Sequence, residues 1–305
     1  MTPFFSVVLP VYNRANLLGN AVRSVLAQTE QDFEIVVVDD GSNDDPQHVI
    51  DAIGDPRIAF VRQDNRGGGA ARNTGIDKAR GRFVAFLDSD DCFLPHHLSA
   101  MRKLVETASC AAAYARILVD RGEGRIILKP PRAVREYEDM ATYLLCDRGF
   151  VPTSTIVVER GLAQTVRFHE NLAAAEDTDF AIRIALAGHR FLMAEEPGVV
   201  WKDIEDPNRL SSGRRSATML PWIEALRPRI PSKAYYGCLG WAYAKSVAVN
   251  DRFAAFRLYL AALLRGCYRP SLAAIIFLQV FLPDRSYRRL ADNAILRFGA
   301  GLRPR

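Results

Sequence analysis

The first hundred residues alternate short, continuously apolar runs with helical segments, and a polar cluster follows nearly every run. Phe4–Leu9 ends at Pro10-Val11-Tyr12-Asn13, and Phe33–Val38, apolar apart from Glu34, stops at Asp39-Asp40-Gly41-Ser42. Ile58–Val61 and Phe83–Leu87 follow, and the last leads into Asp88-Ser89-Asp90-Asp91. A strand with one wet face alternates apolar and polar residues, so runs without alternation are buried on both faces. Residues 17–26 place Leu18, Val22, Val25 and Leu26 at helical spacing, with Asn13 or Asn16 as the expected N-cap. The pattern predicts an α/β fold, a mostly parallel sheet flanked by helices. Ligands bind such sheets outside the carboxyl ends of the strands, where these polar clusters fall.

Residues 101–210 are less regular, with an expected strand at Ser154–Val158 and an expected helix at Asp177–Ala187 stopped by Gly188. From about residue 214 the pattern is helical, over 235–248 and again over 252–265, the second capped by Asn250 or Asp251. Leu272–Leu282 is strongly apolar but shorter than the roughly 20 residues that span a bilayer, and reads as a buried core helix. The chain therefore divides into 1–100, 101–210 and a basic helical region, 211–305. Residues 205–305 hold 17 Lys and Arg against 6 Asp and Glu, whereas residues 1–204 hold 23 against 29. A basic tail on an acidic body points to an anionic partner, set against the simpler reading of a well-solvated helical face. The five cysteines are scattered and show no CxxC, which reads as reduced thiols in the cytoplasm. The N-terminus lacks the basic stretch of a signal peptide.

Each polar cluster has a chemical and a structural reading. Asp88 and Asp90 can converge on one point in a turn, and their repulsion is relieved by a divalent cation that prefers oxygen ligands; Asp and Ser are also ordinary turn formers. Asp39 and Asp40 could accept hydrogen bonds from a base or ribose, or cap the turn at Gly41. The run Asn65-Arg66-Gly67-Gly68-Gly69-Ala70-Ala71-Arg72 opens a helix whose free amides suit phosphate, and Arg72 could pair with a diphosphate. Glu176, Asp177 and Asp179 either offset a helix dipole or offer a general base to a cleft.

Taken in order, Ser-Val-Val-Leu-Pro-Val-Tyr-Asn, Val-Val-Asp-Asp-Gly-Ser, Asn-Arg-Gly…Ala-Arg-Asn-Thr-Gly, Phe-Leu-Asp-Ser-Asp-Asp and Glu-Asp-Thr-Asp-Phe-Ala-Ile-Arg resemble family 2 of the inverting glycosyltransferases, which have the GT-A fold. The resemblance covers residues 4 to about 210 and implies that 1–100 is the nucleotide-sugar-binding half of the GT-A domain and 101–210 the acceptor-binding half. It implies that Pro10, Tyr12 and Asp39 surround the nucleotide base, with Asp40 close by and Asn13 and Ser89 among the donor contacts. Arg72 would meet the nucleotide or its diphosphate. Asp88 and Asp90 match the DxD motif, Asp90 as direct ligand of Mn²⁺ or Mg²⁺ and Asp88 near ribose and metal. Asp177 matches the catalytic base and Glu176 its acceptor-orienting neighbour.

The resemblance implies attack by an acceptor hydroxyl, deprotonated by Asp177, on the face opposite the leaving diphosphate, with inversion. There is no Gln-x-x-Arg-Trp and no membrane-spanning segment, so transfer of single sugars is expected in cell-surface glycan synthesis, with a UDP-sugar as the default donor among relatives. His189 stands beside Gly188 rather than in a ligand motif, leaving the rest of the metal shell unassigned. The expected partners are a nucleotide-sugar donor and a glycan or lipid-linked glycan acceptor. The basic tail is expected to touch the cytoplasmic membrane face, nucleic acid is not expected, and surplus apolar surface on the tail helices would suit an oligomer. Two alternatives compete. A nucleotidyltransferase would place a Gly-rich basic loop after the first strand, where Pro-Val-Tyr-Asn stands instead. A non-catalytic nucleotide-sugar-binding protein would keep repelling carboxylate clusters without use for them.

Overall fold

The computed structural model describes residues 2–122, 124–147, 149–172, 174–203 and 215–298. The expected boundary at 210/211 lies outside these residues. The first half runs β1 (Phe5–Val11), α1 (Ala15–Leu26), β2 (Phe33–Asp39), α2 (Pro46–Ile53), β3 (Ile58–Arg62), α3 (Gly68–Lys78) and β4 (Phe83–Phe86). The short β5 (Cys92–Phe93) and α4 (His97–Thr107) lead to β6 (Ala112–Asp120), β7 (Ile126–Lys129) and α5 (Met140–Cys146). Then come β8 (Val157–Glu159), α6 (Arg160–Val166), α7 (Glu176–Leu186) and β9 (Phe191–Lys202). One sheet holds all the strands in the order β3-β2-β1-β4-β8-β6-β9-β5, with β7 on the outside of β6.

The sheet is parallel where the sequence pattern is clearest. β3, β2, β1 and β4 run together, with Val11 opposite Asp39 and Val8 opposite Phe86. Beyond β4 the sheet is mixed: β8 is antiparallel to β4 and β6, while β6 and β9 pair in parallel. Burial explains the absence of alternation. Val8, Val36, Val38, Val84 and Phe86 face one apolar core, and Val7, Leu9, Ile35, Val37 and Ala85 face another. Because β1, β2 and β4 are parallel, their polar carboxyl ends arrive side by side.

Three local expectations change. The α1 N-cap position is Arg14, with no side-chain cap of its own; neither Asn13 nor Asn16 fills the role. Asp44 accepts from the Ala15 amide at 2.7 Å, whereas the Asn13 side chain accepts from Asn43 N. Ser154 and Thr155 of the expected strand 154–158 belong to a 3-10 turn, Thr153–Thr155, and the strand begins at Val157. The expected helix 235–248 is α9 (Ser232–Cys238), a wider π turn at Leu239–Tyr243 and α10 (Ala244–Val247). At Gly240 an added Cβ would meet Ala262 Cβ at 2.4 Å, so the backbone there lies hard against its neighbour.

The C-terminal helices extend the cores. α8 (Arg215–Leu226) and α9 place Trp222, Ile223, Ala234 and Tyr235 in the core that includes α5 and α7. Trp222 Nε1 donates to Asp179 Oδ1 at 2.8 Å, and Arg183 donates to Asp179 Oδ2, so one buried acid ties α8 to α7. α11 (Arg252–Leu264), capped by Asp251 as one of the two expected residues, packs with α12 (Pro270–Phe281). α12 buries Leu272, Ala273, Ile276 and Val280 as expected of a core helix, but Phe277 and Leu278 on its other side are exposed. α13 (Asp284–Phe298) is held by Asp292 against Arg121 at 2.7 Å. No helix among the described residues is long and apolar enough to cross a membrane.

Candidate active site

The carboxyl ends of β1, β2 and β4 open onto a cavity of about 660 Å³. Its wall includes Pro10, Tyr12, Asp40, Arg72, Asp88, Ser89, Asp90, Glu176 and Asp177, bringing most of the sequence-predicted residues together. Asp39 and Asn13 stand outside this lining. Asp39 is fully buried: one oxygen accepts from the Ser42 amide at 2.9 Å, and the other lies 3.2 Å from Arg62. Asn13 is exposed at φ +50°, its own amide donating to Ser42 Oγ.

Asp40 organises the Gly-rich loop. Its two oxygens accept from the amides of Arg66 and Gly67 at 2.9 and 2.8 Å and from Gln63 Nε2. Gly67, at φ +90°, then starts α3 without a side-chain cap. Small residues are required along this helix by close packing. A Cβ on Gly75 would meet Val8 Cγ1 at 2.2 Å, and one on Gly69 would meet His169 O at 2.8 Å.

Arg72 is the electrostatic centre of the cavity. Its Nη1 donates to Glu176 Oε2 at 2.7 Å and its Nη2 to Asp88 Oδ1 at 2.6 Å, while the guanidinium lies over the Phe168 ring. Burial alone would lower the Arg72 pKa, but the charges of Asp88 and Glu176 raise it above the ordinary value. Glu176 also accepts from Gly69 N at 3.0 Å, so it faces the first turn of α3. Its contacts orient Arg72 and the loop.

The Asp-rich turn after β4 is braced from the second half of the chain. Ser154 Oγ accepts from the Asp88 amide and donates to Asp91 Oδ2. Asp88 and Asp90 remain partly exposed, at 34% and 28% of their side chains, and Asp90 accepts from Arg14 Nη1 at 2.6 Å. Two neighbouring carboxylates match the hard oxygen donors that Mg²⁺ or Mn²⁺ takes, together with substrate phosphates. No group of three or more Asp, Glu, His or Cys able to hold a metal is found among the described residues.

Asp177 is the second residue of α7, which Glu176 begins after Ala175 at φ +65°. Its Oδ1 accepts from Thr178 N at 2.7 Å. Burial pushes its carboxyl pKa up to about 6, against the opposing pull of the Thr178 amide and Arg72. A carboxylate of that basicity is better matched to accepting a proton near neutral pH than an ordinary aspartate.

Sequence reasoning missed Arg14, Ser154 and Glu170. Arg14 follows directly on Pro-Val-Tyr-Asn and was open to notice as a cation beside a predicted ligand loop. Ser154 and Glu170 come from the irregular half, where spacing carries no such signal. Glu170 accepts from Asn73 Nδ2 and from Arg66 Nη2, linking the loop before α7 to α3 and to the Gly-rich loop. Phe150 and Trp201, 5.9 Å apart between ring centroids, add an aromatic wall.

Residues 6–165 match the family model described as glycosyl transferase family 2. The chain is 28% identical over 243 residues to the amylovoran biosynthesis glycosyltransferase AmsB of Erwinia amylovora, covering 76% of this chain and 80% of that protein. It is 33% identical over 218 residues to the succinoglycan biosynthesis protein ExoW of Rhizobium meliloti, covering 64% and 67%. Among solved structures, S. aureus TarS 1–349 in complex with UDP-GlcNAc has a TM-score of 0.67 at 17% identity, covering 96% of this chain and 91% of that one. The mannosyltransferase PcManGT of Pyrobaculum calidifontis, in complex with GDP-Man and Mn²⁺, has a TM-score of 0.56 at 17% identity, covering 98% and 88%. These two likenesses show a shared GT-A-type fold. With the family model matching more than half of the chain, the protein belongs to glycosyltransferase family 2 and is a glycosyltransferase.

Proposed function

We propose that this enzyme transfers a single sugar from a UDP-sugar to an acceptor hydroxyl in cell-surface glycan synthesis, with inversion at the anomeric carbon. The observation that carries the mechanism is Asp177: a half-buried carboxyl with its pKa raised to about 6, on the same cavity as Arg72 and Asp88. The names of AmsB and ExoW support the glycan reading, and the UDP-GlcNAc in TarS supports the donor.

Pro10 and Tyr12 line the end of the cavity assigned to the base, and Asp40 holds the loop amides near the phosphates. Ser89 lines the cavity, whereas Asp39 and Asn13 stand outside the lining, and a direct contact from the fully buried Asp39 requires the wall to open. Arg72 offsets charge on the departing diphosphate, with Glu176 setting its direction. Asp88 and Asp90 would hold a divalent Mn²⁺ or Mg²⁺, which supplies further neutralisation of the leaving group when bound. The acceptor oxygen bonds to the anomeric carbon as the bond to the diphosphate breaks. Its proton passes to Asp177, and the nucleoside diphosphate leaves from the opposite face. General-base assistance of this kind contributes about 10²–10⁴-fold in rate.

The acceptor is a glycan or lipid-linked glycan, reached at the cytoplasmic face of the membrane through the basic C-terminal region. NMR of the product from an α-linked UDP-sugar tests the reaction: a β-linkage with UDP released in equal amount is expected. An α-linked product, or release of pyrophosphate, overturns the proposal.

A further inference from the structure

α11 is apolar on two opposite sides, yet only one is covered. Ala255, Tyr259 and Ala262 are buried against the neighbouring helices. Val249, just before the helix, and Phe253, Phe256, Leu260 and Leu264 recur at helical spacing along the other side, and all are exposed. Val249, Phe253 and Leu264 are 82%, 72% and 78% exposed, far beyond the isolated apolar residue common on protein surfaces. The patch continues onto α12. The Phe256 and Phe281 rings lie 6.2 Å apart and Phe281 and Phe277 4.8 Å apart, with Phe277 and Leu278 also exposed.

Charge identifies the occupant. Between Asp251 and Asp284 the chain has the four arginines Arg252, Arg257, Arg265 and Arg269 and no acidic residue. Arg257 falls at helical spacing beside Phe253 and Leu264, and Arg252 and Arg265 bracket the helix; all three are exposed. Among the described residues, none of these three forms an ion pair with a carboxylate. Arg252 and Arg265 donate instead to the backbone carbonyls of Phe281 and Ala261, and the Arg265 guanidinium also lies over the Tyr236 ring. A second copy of this face would bring arginine against arginine, whereas an anionic lipid surface accepts both the aromatic side chains and the cations that lack a carboxylate partner.

We infer that the exposed side of α11, continued by Phe277 and Leu278 of α12, is a membrane-docking face that inserts Phe253 and Leu264 at the headgroup boundary of an anionic leaflet. The inference deepens the membrane contact proposed above and is independent of the transfer chemistry, since none of these residues lines the cavity. It predicts an orientation: the α11 side faces the lipid while a lipid-linked acceptor approaches from the same surface.

The test is sedimentation of the full chain with phosphatidylglycerol and with phosphatidylcholine vesicles at low and high ionic strength. Binding to phosphatidylglycerol alone is expected, weakening with salt. Phe253→Ser with Leu264→Ser, and separately Arg252→Glu with Arg257→Glu, should each weaken it by at least about tenfold. The melting temperature and the hydrolysis of UDP-sugar in solution should stay unchanged, which separates failure of docking from failure of the active site. Equal binding to both vesicles, undiminished binding by both variants, or a dimer in solution that the Phe253→Ser and Leu264→Ser variant dissociates would each overturn the assignment.

Discussion

Arg72 Nη1 lies 2.7 Å from Glu176 Oε2, although 104 residues separate them in the chain. Arg72 belongs to the helix that follows the Gly-rich loop, and Glu176 to the first turn of the helix that carries Asp177. This ion pair joins the two halves of the catalytic fold at the point where the donor's diphosphate is proposed to sit. A diphosphate would compete with Glu176 and Asp88 for the same guanidinium, so binding there is expected to rearrange the pair rather than fill an empty socket.

Arg72→Lys should therefore weaken UDP binding. Lysine presents one compact charge and cannot fork to two carboxylates and a diphosphate. A loss of about 2 kcal/mol, roughly thirtyfold in Kd, is expected by calorimetry. Wild-type affinity in this variant would remove Arg72 from the donor site.

Asp177 links catalysis to stability through pH. Burial raises its folded pKa from 3.8 to about 6, so the native state binds more protons than the unfolded chain between those values. The contribution of this group to stability is therefore present at low pH and lost as pH rises through that window. The melting temperature of Asp177→Asn relative to wild type should climb across the same range and then level off. A difference independent of pH would show that the carboxyl is not perturbed. The transfer rate of the wild type should fall on the acidic side of about 6, where the base becomes protonated.

Removal of divalent cations with a chelator should stop transfer and weaken UDP binding, and added Mn²⁺ should restore both. Asp90→Asn removes one of the two proposed carboxylate ligands and should raise the Mn²⁺ needed for UDP binding by at least about tenfold. UDP binding that ignores both the chelator and the substitution would dissociate the Asp-rich turn from metal.

Gly75→Ala tests the packing that presents Arg72. The new methyl would sit 2.2 Å from Val8 Cγ1, so α3 must lift off β1. A loss of about 1–3 kcal/mol is expected in denaturant unfolding. Val8→Ala in the same chain should recover part of it; no recovery would place the strain elsewhere.

Legibility in the sequence followed the physics of each element. β1, β2 and β4 announce themselves because both faces are buried and the strands are parallel, so Val7 and Val8 are equally apolar and the polar residues collect at the ends. Asp88 and Asp90 follow the end of β4 and Arg72 lies in α3 after the Gly-rich loop, and they were readable as a candidate ligand site. The resemblance to family 2 supplied Asp177; periodicity alone could not separate a base from a helix-dipole acid. The cap of α1 was misread because Asp44 reaches it from a distant turn, leaving Asn13 for Asn43. The 154–158 segment was misread because Ser154 turns inward to hold Asp88 and Asp91, and that contact, set by tertiary packing, interrupts an otherwise strand-like run. The open side of α11 was equally hidden, since helical spacing in the sequence does not reveal which apolar side finds a partner.

The most direct test of the central claim is Asp177→Asn, assayed in parallel for UDP-sugar binding and for sugar transfer. Transfer should fall by about 10²–10⁴-fold while the donor Kd stays near the wild-type value, because the carboxyl accepts the acceptor's proton and the amide cannot. Transfer at the wild-type rate would contradict the account.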